Sequence, residues 1–204
     1  MAFQYFIDRA QQVTWNQRPT VAQTIARSGL MRSISRGNAV WRFEVTMPNG
    51  PRYSNYRQAL SDLETSGSYT AEWIQFNTPG QNYIFGYQGN LPVTSSATPI
   101  YVLNADSNLV YHNAVSIATP KFEKGDIFEL NGHVYMVTQQ VLGNATNIYL
   151  HRPLVDAAND TTYNVNVGTA ARFRVKCIEL PTYTLFGYDQ ISWNGPMVFQ
   201  EVID

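Results

Sequence analysis

A single cysteine, Cys177, is all that the 204 residues contain. That scarcity excludes an intramolecular disulfide and a cysteine-rich zinc site, and it fits a reducing compartment or an assembly made in one. Lysine is nearly as scarce, with Lys121, Lys124 and Lys176 the only three. No apolar window reaches the roughly 18 residues of a membrane span, and the opening MAFQYFIDRAQQ has no basic stretch running into a long apolar one. The chain is therefore expected to be soluble, made in a cytoplasm, and free of membrane insertion. The sequons at Asn144 and Asn159 then carry no glycan.

Phosphate cradles are missing as well. Neither G-x-x-x-x-G-K-[ST] nor G-x-G-x-x-G occurs, and there is no G-x-S-x-G elbow for a hydrolase. Three histidines stand apart: His112 beside a turn, His133 at the start of a hairpin strand, and His151 in YLHRP. They read as turn and strand-edge residues, not as triad bases. Glu123, Asp126 and Glu129 fall at i, i+3 and i+6, a spacing that scatters over both faces of a strand and reads as solvated turn carboxylates. Asp62 and Glu64 read as part of a solvated helix face. The expectation is no catalytic site, no metal and no cofactor.

What the chain does have is an uneven charge. Residues 1–60 carry eight arginines, at 9, 18, 27, 32, 36, 42, 52 and 57, against Asp8 and Glu44, a net of +6. Residues 61–204 hold six basic and thirteen acidic residues, a net of −7. Such a dipolar chain suits head-to-tail association of copies as readily as an anionic partner. Arginine's rigid fork favours fixed hydrogen bonds over a diffuse cationic cloud. Aromatic residues make up 13% of the chain, a level that serves a β core or an interface equally well.

The pattern along the chain is mainly β. AVWRFEVTM alternates, placing Trp41, Phe43, Val45 and Met47 on a face to be buried, and MPNGP ends the strand. RYSNYRQALSDLETSG then shows the one convincing helical period, with Tyr53, Tyr56, Ala59 or Leu60, and Leu63 on a face. A helix of about ten to twelve residues is expected there, with Ser54 or Asn55 as N-cap and Gly67 just past its end. NTPGQNYIFGYQGNLPVTSSATP reads as connector. From Thr98 the runs TPIYVL, NAVSIA, GDIFEL, HVYMVTQQV, NIYLHR and RFRVKCIEL read as short strands, and Asn131-Gly132 marks a type I′ hairpin. A small OB-like barrel is the expected arrangement. The final MVFQEVI is too short to stand alone and is expected to return to the N-terminal sheet.

An OB-like barrel with aromatics at Tyr101, Tyr111, Phe122, Phe128, Tyr135 and Tyr149 could stack single-stranded nucleic acid. Residues 97–177, however, balance six basic against six acidic side chains, which leaves no electrostatic footprint.

Two stretches carry a family resemblance. RSGLMRSISRGNAVWRFEVTMP, followed by a short helix, resembles the N-terminal domain of the distal tail proteins of tailed bacteriophages. FEKGDIFELNGHVYMVTQQVLGNATNIYLHRPL, then VNVGTAARFRVKCIEL, is similar to the inserted barrel domain of the distal tail proteins of long flexible-tailed phages. The resemblance covers most of the chain. It departs from the family pattern where His133 stands in place of a lysine and Arg152 in place of the first proline before Leu154.

The resemblance implies a mainly β protein. A β-sandwich domain with one short α-helix, residues 1–95 with 178–204, would carry an inserted small OB-like β-barrel at 96–177. It also implies a hexameric ring joining the tail tube protein to tail-tip or baseplate hub proteins, with DNA passing transiently through the lumen. Arg27, Arg32, Arg36 and Arg42 are then candidates for contact with an adjacent subunit, and Trp41, Phe43 and Tyr135 for core anchors. A single-stranded nucleic-acid-binding protein and a carbohydrate-binding or hydrolytic tail accessory remain as alternatives.

Overall fold

The structure is a computed structural model that describes residues 2–18, 21–25, 31–35, 39–66, 70–90, 99–112 and 120–203. Helix α1 (Ala2–Ile7) leads into strands β1 (Gln12–Arg18), β2 (Val21–Ile25), β3 (Met31–Ser35) and β4 (Val40–Thr46). Helix α2 (Tyr53–Ser66) and β5 (Glu72–Ile74) follow. The middle of the chain forms β6 (Pro99–Val102), β7 (Leu109–Tyr111), β8 (Pro120–Phe122), β9 (Ile127–Leu130) and β10 (His133–Met136). It continues with β11 (Val141–Leu142), β12 (Asn147–Tyr149), β13 (Thr161–Asn164) and β14 (Asn166–Val167). The C-terminal part adds β15 (Phe173–Glu179), β16 (Thr182–Phe186), β17 (Gln190–Asn194) and β18 (Met197–Glu201).

The two ends of the chain build one antiparallel sheet in the order β1-β4-β18-β15-β5. As expected from MVFQEVI, β18 joins this sheet, pairing Phe199 with Phe43 and Met197 with Val45 on β4. The alternation along β4 is realised, with Trp41, Phe43 and Val45 buried and Arg42 and Glu44 on the other face. Trp41 and Phe43 stack with parallel rings, and Phe173 meets both edge-on. Each such fully buried aromatic contributes roughly 1.5–3 kcal/mol of transfer free energy.

Two helices cover this core where one was expected. The six residues of α1 are too few to show a period, yet Phe3, Phe6 and Ile7 are all buried against the sheet and α2. Tertiary packing holds a helix this short, since it could not persist alone. The longer α2 buries Tyr56, Ala59, Leu60 and Leu63, the face its period marks. It begins at Tyr53, so Ser54 and Asn55 lie inside it and neither is the N-cap. The expected stop at Gly67 lies outside the described residues.

Among the described residues the expected barrel does not close. The middle strands form separate antiparallel sheets, β10-β9-β14, β11-β8 and β12-β7-β6-β13. Strands of two to four residues and a register shift between Val141 and Leu142 break the ladder, and closure needs strand tilt and stagger that alternation alone does not encode. The proposed strand NAVSIA lies outside the described residues. A second core of Ile100, Val102, Val110, Phe122, Phe128, Leu130, Tyr135, Ile148 and neighbours sits among these strands. Phe122, Phe128 and Tyr135 are fully buried in it, which removes them as stacking platforms for nucleic acid.

The β9–β10 hairpin is the wall between the two cores. Asn131 and Gly132 both take positive φ, 49° and 82°, which is the type I′ geometry their dipeptide favours. Ile127 and Val134 face the first core while Phe128, Leu130 and Tyr135 face the second. Both faces of the hairpin are therefore dry, which explains its nearly continuous apolar reading.

Candidate functional site

Along that wall the two cores are clamped by a buried ion pair. Arg152 reaches Glu201 with both arms, Nη1 donating to Oε2 at 2.6 Å and Nη2 to Oε1 at 2.5 Å. The side chains are only 1% and 2% exposed. Nη1 also donates to the Ala39 carbonyl and Nη2 to that of Val134. The Trp41 N–H donates to Glu201 Oε2, and the Trp41 indole Nε1 donates to the Val134 carbonyl. One carboxylate from the last strand and one guanidinium from the middle of the chain thus tie β4, β10 and β18 together. Bidentate geometry, with a third hydrogen bond to the carboxylate from the Trp41 N–H, is what makes such a buried pair tolerable.

His151 stands next to the clamp, between the rings of Trp41 and Tyr135. Its Nδ1 accepts the N–H of Met136, so the proton of the neutral ring sits on Nε2, which has no partner among the described residues. Burial, and then the Arg152 charge, hold its pKa down at about 3. A neutral imidazole without a carboxylate partner is a packing element here, not a base. His133 Nε2 lies 3.7 Å from Asp156 Oδ2. Among the described residues no group of three or more His, Cys, Asp or Glu side chains is placed to hold a metal.

Two of the three carboxylates expected to be solvated are buried instead. Asp126 accepts the N–H groups of Glu123 at 2.7 Å and Gln88 at 3.0 Å, and desolvation raises its pKa despite those donors. It pins the connector to β9, and Phe85 of the same connector packs against Trp15, Trp41 and Phe43. Glu129 takes the fork of Arg172 at 2.8 Å and 3.2 Å, the Arg172 N–H and the Asn166 amide. Each has a structural role that its spacing in sequence concealed.

Of the arginines singled out for contacts, Arg27 and Arg36 lie outside the described residues. Arg32 is on β3, its backbone opposite Thr24 in the β2–β3 hairpin. Arg42 lies on the outer face of β4 and pairs loosely within its own chain, 3.5 Å from Glu44 and 3.6 Å from Glu179. Exposed pairs of this length contribute little, so the guanidinium stays available to a stronger partner.

An exposed apolar cluster among the described residues was not expected from sequence. It lies on the β16–β17 hairpin, where Leu185 is 51%, Phe186 57% and Tyr188 99% exposed, with Ile178 and Leu180 exposed on the approach. One side of this hairpin is fixed: Tyr183 and Trp193 pack on Tyr53, Tyr56 and Phe6. At its tip Tyr188 and Asp189 both hold φ of 62°, a conformation that costs energy for residues with a Cβ. Asp189 offsets that cost by capping the N-terminus of α2 from across the fold. Its Oδ1 accepts the Ser54 N–H at 3.0 Å, its Oδ2 the Ser54 hydroxyl at 2.5 Å, and its carbonyl the Tyr53 N–H at 2.7 Å. A rigid base thus holds apolar side chains out in solvent at the tip, and exposed large apolar side chains gathered on one hairpin mark a candidate interaction site.

No protein-family model matches the sequence, and no curated protein does. Among the described residues no helix is long and apolar enough to cross a membrane.

Proposed function

We propose that this chain is a structural protein of a bacteriophage tail, of the distal tail type. In this reading its copies close into a hexameric ring between the end of the tail tube and the tail-tip or baseplate hub. The ring lets DNA pass through its lumen and performs no catalysis. The expected division at 177/178 falls inside β15, whose Phe173–Glu179 belong to the outer sheet, so in this reading the outer domain is residues 1–95 with 173–204 and the insert is 96–172.

The observation that carries the reading is the rigid, apolar β16–β17 hairpin, whose exposed Leu185, Phe186 and Tyr188 call for a covering surface. The charge asymmetry of the chain supports heterologous packing of copies, the geometry that closes rings. Arg27, Arg32, Arg36 and Arg42 then face the adjacent subunit or the tube protein. Light scattering after size exclusion, with electron microscopy of the same fractions, is expected to give rings of roughly six copies. The double variant Phe186→Ser, Tyr188→Ser is expected to shift them to monomers with an unchanged circular dichroism spectrum. A wild-type chain that stays monomeric at high concentration and retards single-stranded oligonucleotides would overturn the reading in favour of nucleic-acid binding.

A further inference from the structure

A second surface lies where α1 meets β5. There an open cleft of about 270 Å³ is lined by Gln4, Asp8, Trp73, Gln75, Asn77 and Arg172, with Ile74 at its floor. Its polar walls are held in place before any ligand arrives. Gln4 Nε2 donates to Asp8 Oδ1 at 2.7 Å and to the Gln75 carbonyl at 2.9 Å, and the Gln75 N–H donates back to Gln4 Oε1 at 2.8 Å. Gln75 Nε2 is tied to the Thr169 carbonyl at 2.8 Å. Arg172 is clamped by Glu129, and its guanidinium carbon sits 5.1 Å from the centre of the Trp73 ring. Side chains already immobilised lose little entropy on binding, which is how a small site gains affinity.

The chemistry of the lining narrows the ligand. Arg172 is the only cation in the lining and its charge is met by buried Glu129, while Asp8 adds a negative charge at the rim. Phosphate and other anions therefore find no net attraction there. An indole wall beside amides and a carboxylate offers apolar surface to C–H groups and hydrogen bonds to hydroxyls, the two faces of a sugar ring. The volume falls just under the roughly 300–1000 Å³ of drug-sized sites, which suits one ring of a chain that leaves through the open side. A single carboxylate in the lining lacks the partner that glycoside hydrolysis needs, so the cleft binds and does not cleave.

We propose that this cleft is a subsite for one ring of a neutral oligosaccharide, with Trp73 as the apolar wall and Asp8 and Asn77 as hydroxyl partners, Asp8 held in place by Gln4. It does not rest on ring formation, since every contributing residue belongs to one chain.

The test titrates the full chain with maltotriose and with triacetylchitotriose, reading the four tryptophan indole N–H signals by NMR and the heat of binding by calorimetry. Trp73→Phe assigns the Trp73 signal. One of the two trisaccharides is expected to shift that signal saturably. Affinity should drop by about tenfold or more in Asp8→Asn and in Asn77→Ala, in line with the loss of one hydrogen bond each. Asp8 and Asn77 are exposed, so these variants fold even if a Trp73 variant does not. The proposal is overturned if neither trisaccharide binds, if binding survives Asp8→Asn and Asn77→Ala unchanged, or if inorganic phosphate displaces the sugar from the same signals.

Discussion

Arg152 shows how far one side chain can reach. In sequence it is only a basic residue where the resembled pattern has proline. In the fold it makes four hydrogen bonds, to Glu201, Ala39 and Val134, across the seam of two cores. Removing one partner of such a pair leaves an uncompensated buried charge, so Arg152→Ala is expected to cost about 3–5 kcal/mol, read from urea unfolding. Arg152→Met with Glu201→Leu should recover part of that loss, because no charge is then buried. Recovery stays incomplete because the Trp41 N–H and the Ala39 carbonyl lose their partners. A cost below about 1 kcal/mol for the single variant would show that the clamp does not hold the seam.

At the scale of elements, the hairpins divide into one the sequence announces and one it hides. Asn131-Gly132 between apolar runs identifies β9–β10 because its turn chemistry is local. The tip of β16–β17 carries Tyr188 and Asp189 in the same left-handed region, and neither residue advertises it as strongly as glycine does. Asp189 is held there by the N-terminus of α2, which begins 136 positions earlier in the chain, at Tyr53. Asp189→Ala is expected to lower stability by about 1 kcal/mol or somewhat more. It should also speed hydrogen exchange in the first turn of α2. Asp189→Asn keeps both an acceptor and a residue tolerant of positive φ, and should restore most of the loss. Equal stability of all three proteins would refute the capping role.

For the whole molecule, His151 couples stability to pH. Its folded pKa of about 3 lies below the ordinary value of 6.5. Between those values the unfolded chain binds more protons than the folded one, so stability falls as pH drops from about 6.5 toward 3, by at most about 1.4 kcal/mol per pH unit. Asp126 acts in the opposite sense, since burial raises its pKa and the folded state holds that proton more tightly than the unfolded chain does. The discriminating measurement is therefore the difference in unfolding free energy between wild type and His151→Gln at pH 7 and pH 4.5. The wild type should lose the more. Parallel profiles would remove His151 as the source. What the sequence determined by itself was whatever rests on neighbours along the chain: the β character, the alternation that buries Trp41 and Phe43, the face of α2 and the Asn131-Gly132 turn. The return of β18 was also legible, because a lone apolar strand must find a sheet. Only the tertiary structure decided what depends on residues far apart: the open sheets in place of a barrel, the helix α1, the buried roles of Asp126, Glu129 and Arg152, and the cleft between α1 and β5. Backbone periodicity encodes which face is apolar, but partners for buried charges and the closure of sheets are set by distances in space, and those exist only once the chain has folded.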